Sequence, residues 1–112
     1  MSTFLFTKFV VALAMTESGG NQFAVGQAGE IGMLQISHAC VVDVNDRWGT
    51  RYVWPDDAFD PAKSRKICEL YIRHWGGDAV TYEKAARIWN GGPSGHLKSS
   101  TIKYWQKLKT RL

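Results

Sequence analysis

The stretch ALAMTESGGN, residues 12–21, decides how this chain is read. An apolar run ends abruptly in Thr16, Glu17 and Ser18, and two glycines follow. Working backwards, residues 3–18 carry Phe4, Leu5, Phe6, Phe9, Val10, Val11, Leu13 and Met15, apolar on nearly every side of a helix. A helix that is hydrophobic all round is expected to be buried, and Gly19-Gly20 supply a left-handed C-terminal stop. Glu17 therefore falls in the last helical turn, where unpaired carbonyls carry negative partial charge. An ionised carboxylate is disfavoured there, and apolar neighbours disfavour it further by desolvation. A glutamic acid still protonated near neutral pH is what a general acid requires. The plain alternative is an exposed Glu at a frayed helix end, costing a few tenths of a kcal/mol.

Outward from this stretch, residues 21–36 form a glycine-punctuated loop and a short apolar turn, GEIGMLQI. Ser37 is placed to cap a helix over 38–48 with Cys40, Val41 and Val44 as its inner face. GTRYVWPDDAFD reads as irregular, with a short extended piece. Asp60-Pro61 is a strong helix start. That helix runs to Trp75, carries the stripe Ala62, Ile67, Leu70, Tyr71 and Trp75, and stops at Gly76-Gly77. Residues 82–89 form a short helix broken by NGGP. Ser99 or Ser100 caps a last helix with Ile102, Trp105, Leu108 and Leu112 on its apolar side. The expectation is an all-α chain of about five helices with little or no β-sheet. With no repeat, linker or low-complexity segment, residues 1–112 read as one domain.

Composition narrows the function classes. A chain of 112 residues can bury a real core, and 45% hydrophobic with 21% charged residues excludes a disordered segment. Five Trp, four Tyr and five Phe exceed what a minimal core needs, so some aromatic surface can line a groove. The net charge of +4 suits an anionic partner without selecting one. A nucleic-acid binder using the basic tail KYWQKLKTRL with Tyr104 and Trp105 would need exposed stacking aromatics, yet Trp105 falls on the apolar stripe. No nucleic-acid partner is expected. Cys40 and Cys68 form no CxxC pair, and with His38, His74 and His96 they give no zinc-ligand spacing. No metal or cofactor is expected. A disulfide and two buried thiols both remain open. FLFTKFVVALA could pass for the apolar part of a signal peptide with Ala12-Leu13-Ala14 as a cleavage box. It lacks a basic leader, Lys8 interrupts it, and cleavage would strip the helix leading to Glu17. The run is too short to span a bilayer, so a core helix without stable membrane insertion is expected.

AMTESGGNQFAVGQAGEIGMLQI resembles the start of the soluble-type lytic transglycosylase domain, the goose-type lysozyme family. The matching pieces are Glu17-Ser18, Asn21, Ala24-Val25, then Gly29, Gly32 and Met33-Leu34-Gln35-Ile36. The third block of that family is an aromatic residue, Asn, a small residue, Gly and Pro, found here from Trp89 to Pro93. The tail TIKYWQKLK is similar to small phage-borne members. Two departures stand out: Met-Leu in place of the usual Leu-Met before Gln35, and Trp89 in place of the usual Tyr before Asn90.

The resemblance implies a lysozyme-like α-helical fold that cleaves the β-1,4 bond between N-acetylmuramic acid and N-acetylglucosamine in peptidoglycan. Glu17 would protonate the leaving oxygen and then act as base on the muramic 6-hydroxyl, giving a 1,6-anhydro product. In the hydrolytic alternative, a muramidase or endolysin, water attacks instead. A domain that kept the fold and lost catalysis is a third possibility. Two-carboxylate glycosidases flank the bond with a second acid, and no other carboxylate here falls in a family block as a nucleophile. Glu30 comes nearest, beside the Gln35 block, where the family often has a small residue. Gln35 and Asn90 suit hydrogen bonds to an N-acetyl group or sugar hydroxyl, and also the tying of loops. Ser18 would bond Glu17, the ligand or backbone. Trp89 would stack on a sugar or fill core, and Met33 and Leu34 would floor the groove or simply fill core. Gly91-Gly92-Pro93 lacks the Lys-Ser/Thr of a phosphate loop, so nucleotide binding is not expected. The expected protein is a cofactor-free monomer whose partner is the glycan strand. It would act on the bacterial wall, periplasmic or extracellular, and be phage-encoded and released or virion-associated.

Overall fold

The computed structural model describes the backbone from Thr3 and the side chains from Leu5 to Leu112; Phe4, assigned above to the first helix, lies outside the described side chains. Six α-helices are present among the described residues: α1 (Thr3–Ser18), α2 (His38–Trp48), α3 (Asp56–Phe59), α4 (Pro61–Gly76), α5 (Tyr82–Gly91) and α6 (Ile102–Lys109). Two 3-10 turns, Gly95–Leu97 and Ser99–Thr101, lead into α6. No sheet forms among these residues; the only β pairing is a pair of isolated bridges, Val25 with Ile31 and Ile31 with Ile36. The described residues are all-α, and none of their helices is long and apolar enough to cross a membrane.

Local chemistry explains the boundaries. Gly19 and Gly20 take φ of +67° and +84°, and their amides turn back to the carbonyls of Met15 and Ala14, ending α1. Ser37 accepts the Cys40 amide at 3.1 Å to start α2. Asp60 accepts the Lys63 amide at 2.8 Å to start α4, with Pro61 as its first residue. Thr81 does the same for α5 through the Lys84 amide.

The core gathers around Phe9, Leu13, Leu34, Ile36, Ile67, Cys68, Ile88 and Leu108, all fully buried. Phe9 stacks on Tyr82 with ring centroids 5.8 Å apart. Each of the buried Phe, Leu and Ile side chains contributes about 1.5–3 kcal/mol by leaving water. α4 is the central strut, packing against α2, α3 and α5, while α6 closes over α1 and α5.

Several expectations need correction. α1 is not buried on all sides, because no element covers one of its faces: Leu5, Val11 and Met15 are 43%, 60% and 44% exposed. The inner face of α4 is Ser64, Ile67, Cys68, Leu70 and Ile72, while Ala62 and Trp75 are exposed. Three helices pack on α4, so its buried surface is wider than one stripe. Residues 49–60 hold a short helix, α3, rather than an extended piece. α5 continues two residues past 89, carrying Asn90 and Gly91 inside it. Neither Ser99 nor Ser100 caps α6; both lie in the 3-10 turn that feeds it, and Ile102 is exposed. Thr101 is buried in its place, its hydroxyl held between the Gly95 carbonyl at 2.7 Å and Arg87 Nε at 2.9 Å. Cys40 and Cys68 are both free and buried.

Candidate active site

Glu17 stands half-buried in the last turn of α1. Beside it, Ser18 Oγ donates to the Met33 carbonyl at 2.7 Å, tying the end of α1 to the turn over residues 31–36. That turn is pinned from below, because Leu34 and Ile36 are fully buried. Gly32 makes the turn possible: its φ is +82°, and a Cβ there would collide with the backbone carbonyl of Ala58. Between the two buried anchors, Gln35 is forced outward into the left-handed region at φ +56°, the one such non-glycine among the described residues. A non-glycine held there costs energy that surrounding structure must offset, and such positions gather at functional sites.

Gln35 is then locked by its own amide. Its Nε2 donates to the Gly32 carbonyl at 2.9 Å and, more weakly, to the Ala24 carbonyl at 3.4 Å. With both amide hydrogens directed at backbone, the side-chain carbonyl Oε1 points the other way, over Gly26. The Glu30 carboxylate comes to the same place: a Cβ built on Gly26 would lie 2.5 Å from Gln35 Oε1 and 2.8 Å from Glu30 Oε2. Glu30 Oε1 is buried with no hydrogen-bond partner.

These groups border a cleft of about 360 Å³. Glu17, Glu30 and Gln35 form one wall, Trp89, Asn90 and Gly92 from the end of α5 form another, and Ser37 and Tyr71 complete it. A smaller recess of about 70 Å³ shares Gln35, Ser37, Tyr71 and Trp89 and reaches Cys40. Trp89 is fixed at both ends. Its Nε1 donates to the Leu34 carbonyl at 3.1 Å, and its ring meets Tyr71 edge-on with centroids 5.7 Å apart.

Behind Glu17 stands Tyr104 of α6, whose hydroxyl donates to Glu17 Oε2 at 2.6 Å. Burial is the main influence on Glu17 and pushes its carboxyl above the ordinary carboxylate value. The Tyr104 hydrogen bond and the more distant Lys107 charge pull the other way, while the Glu30 charge adds to the rise; the net shift is upward. Tyr104 itself is pushed well above its usual range by burial and by the Glu17 charge, so it remains a neutral donor.

Of the residues singled out in the sequence, Glu17, Gln35, Trp89 and Asn90 come together on the cleft. Ser18 and Met33 are not among its lining residues; they form the tie beneath it. The sequence reading missed Tyr104, Tyr71 and Ser37 as neighbours of the site, and it left Glu30 without a role. Tyr104 lies 87 positions from Glu17, a separation that no local pattern reports. The one available signal was the likeness of the tail TIKYWQKLK to small phage-borne members.

The family model for the transglycosylase SLT domain matches residues 5–111. The chain belongs to that family. Membership carries a general activity, lytic transglycosylase chemistry on peptidoglycan, and with it a place of action at the cell wall. One chain of the crystal structure of Aeromonas hydrophila PliI in complex with Meretrix lusoria lysozyme superposes on this one with a TM-score of 0.79 and 26% sequence identity. The match covers 92% of this chain and 87% of that one. Among curated proteins, none matches.

Proposed function

We propose that this SLT-domain protein cleaves the β-1,4 bond between N-acetylmuramic acid and N-acetylglucosamine, with Glu17 as general acid and then base. The observation that carries the reading is a half-buried carboxyl, raised in pKa, held at the edge of a cleft by a single phenol. A carboxyl tuned upward keeps its proton where an ordinary one has lost it, and can deliver it to the departing O4. Gln35, Trp89 and Asn90 hold the sugars on either side of the bond. Ser18 and Met33 support the turn that carries Gln35. The family route completes the step by attack of the muramic 6-hydroxyl, leaving a 1,6-anhydro end. The presence of Glu30 in the same cleft favours a second reading, attack by water.

Digestion of purified peptidoglycan, with products read by mass spectrometry, tests the assignment. Glu17→Gln keeps the shape but has no proton to give, so turnover should fall by about 10²–10⁴. Retention of more than about a tenth of the rate would remove Glu17 from the mechanism. Stability supplies a control with a fixed sign. A carboxyl whose folded pKa lies above its unfolded value stabilises the fold below the unfolded pKa, and that contribution is lost as pH rises through the folded pKa. Glu17→Gln should therefore melt at or above wild type at pH 7, with the advantage shrinking toward pH 4.

A further inference from the structure

Among the phenylalanines with described side chains, Phe6 and Phe9 are buried and Phe59 packs against the core, but Phe23 is 72% exposed. Val25, two residues on, is 69% exposed. Looseness does not explain this exposure, because the backbone around Phe23 is tied down. The Phe23 amide donates to Asn21 Oδ1 at 2.9 Å, and the Ala24 amide donates to the Asn21 carbonyl at 3.2 Å. The Gly32 amide donates to the Ala24 carbonyl at 2.9 Å, and the Gly26 amide to the Glu30 carbonyl at 2.7 Å. The Ala24 carbonyl also accepts Gln35 Nε2 at 3.4 Å. Phe23 is therefore the chain neighbour of a residue that holds the cleft wall, on a loop that leaves that wall at Glu17 and rejoins it at Glu30. The ring is not among the cleft's lining residues, so its place is the rim beyond the Gln35 wall.

Lipid, a second copy of the chain and a sugar are the occupants to weigh. Residues 9–46 contain no Lys or Arg, so the loop offers an anionic lipid surface none of the cations that such contacts use. One ring and one valine fall short of the roughly 800 Å² per partner that a stable protein interface buries. A pyranose fits both limits. Its C–H face is apolar and matches one phenyl ring in size, and its slightly positive hydrogens suit the negative face of that ring. Asn21, Gln22 and Gln27, all exposed on the same loop, carry the amide donors and acceptors that hydroxyl and acetamido groups take. A phenyl side chain has only two χ angles to fix, so stacking on it costs little entropy.

We propose that Phe23 is a stacking platform for a sugar ring of the glycan strand, one that lies past the sugars held in the cleft. The inference rests on the proposed glycan-cleaving function and adds a preference to it. Long strands reach both the cleft and Phe23, whereas short oligosaccharides fill the cleft alone. The second contact is intramolecular once the cleft is filled, so it slows release of a long strand. The ring touches no reacting atom, and its contribution falls on KM rather than kcat.

Calorimetric titration of Glu17→Gln, with and without Phe23→Ala, reads this contact without turnover. The probes are glycan strands freed of stem peptides by an amidase, and a tetrasaccharide of the same alternating sugars. Phe23→Ala should weaken strand binding about fivefold, the worth of one aromatic contact, and leave the tetrasaccharide affinity unchanged. Phe23→Trp should restore strand binding, whereas Phe23→Leu, apolar but without a π face, should not. Thermal midpoints should match, since the ring is exposed. Equal strand affinity with and without the ring overturns the proposal, and so does an equal loss for both probes or full rescue by Leu. Pelleting with phosphatidylglycerol–phosphatidylethanolamine vesicles that depends on Phe23, while strand binding does not, would give the ring to a lipid surface and overturn it too. Cleavage of either probe by Glu17→Gln, or binding of neither, defeats the proposed function itself. Strand binding that is indifferent to Phe23 defeats only the stacking platform.

Discussion

The two sides of Glu17 are built on opposite plans. On the α6 side, Tyr104 meets the carboxylate at 2.6 Å, so one strong donor is matched to one acceptor. On the side of the 24–36 turn, acceptors outnumber donors: Glu30 Oε1 is unpartnered, and the Gln35 amide oxygen and Glu30 Oε2 both crowd Gly26. The first arrangement is complete within the protein and fixes a side chain. The second leaves a buried carboxylate oxygen without a partner in the protein. The backbone follows the same division, since Gln35 sits in the left-handed region while Tyr104 is an ordinary helical residue. A site can thus be divided by asking which of its polar groups the protein satisfies by itself.

The comparison is tested hardest on the incomplete side. Gln35→Ala and Asn90→Ala should each lower turnover at least about tenfold, the effect of one lost hydrogen bond to a positioned sugar or nucleophile. Asn90 is exposed and makes no side-chain hydrogen bond among the described residues, so its thermal midpoint should move by only a degree or two. Gln35→Ala removes its bond to Gly32 yet also shortens a side chain held at positive φ, and should shift the midpoint by no more than a few degrees. Thermal melts beside turnover separate the roles. If both variants unfold, these amides are structural ties and the division drawn here is wrong.

The legible part of the molecule was the part governed by short range. Thr3–Ser18 and His38–Trp48 follow from apolar spacing and from caps that act within four residues, such as Ser37 on Cys40 and Asp60 on Lys63. Glu17, Gln35, Trp89 and Asn90, drawn from separate motif blocks, line one cleft. Long-range packing decided the rest. Val11 and Met15 look like core in a helix apolar on all sides, and only the absence of a covering element leaves them outside. Ala62 and Trp75 look like a buried stripe until three helices are laid against α4. Tyr104 looked like one aromatic among several in a basic tail, because its partner is fixed only when α6 closes over α1.

A smaller effect sharpens the contrast from the complete side. Tyr104→Phe deletes one hydroxyl and should slow cleavage about fivefold, near the worth of a single hydrogen bond of about 1 kcal/mol. Its signature lies in the pH profile. The Tyr104 bond stabilises ionised Glu17, so its removal lets burial raise that pKa further. The acid must be protonated to act, so the alkaline limb of kcat/KM should move to higher pH. A purely structural tyrosine would lower the profile evenly, without moving the limb.

The smallest effect on turnover belongs to the cysteines, and it limits how far the unfinished side extends. Cys40 borders the recess beside Gln35, Tyr71 and Trp89, while Cys68 is fully buried and is not among its lining residues. Burial pushes the Cys40 thiol up to about 12 and Cys68 well above the usual range, so neither presents a thiolate at neutral pH. A thiol that cannot ionise is neither nucleophile nor base, and here it acts as a small apolar side chain. The double change to Ala should therefore leave turnover within about twofold of wild type. It should still cost about 1–2 kcal/mol of stability from the space left by two sulfurs. Thiol titration should find neither group readily in the native protein and both after denaturation. A folded double-Ala variant without turnover would bring Cys40 into the working wall of the cleft, beside Gln35.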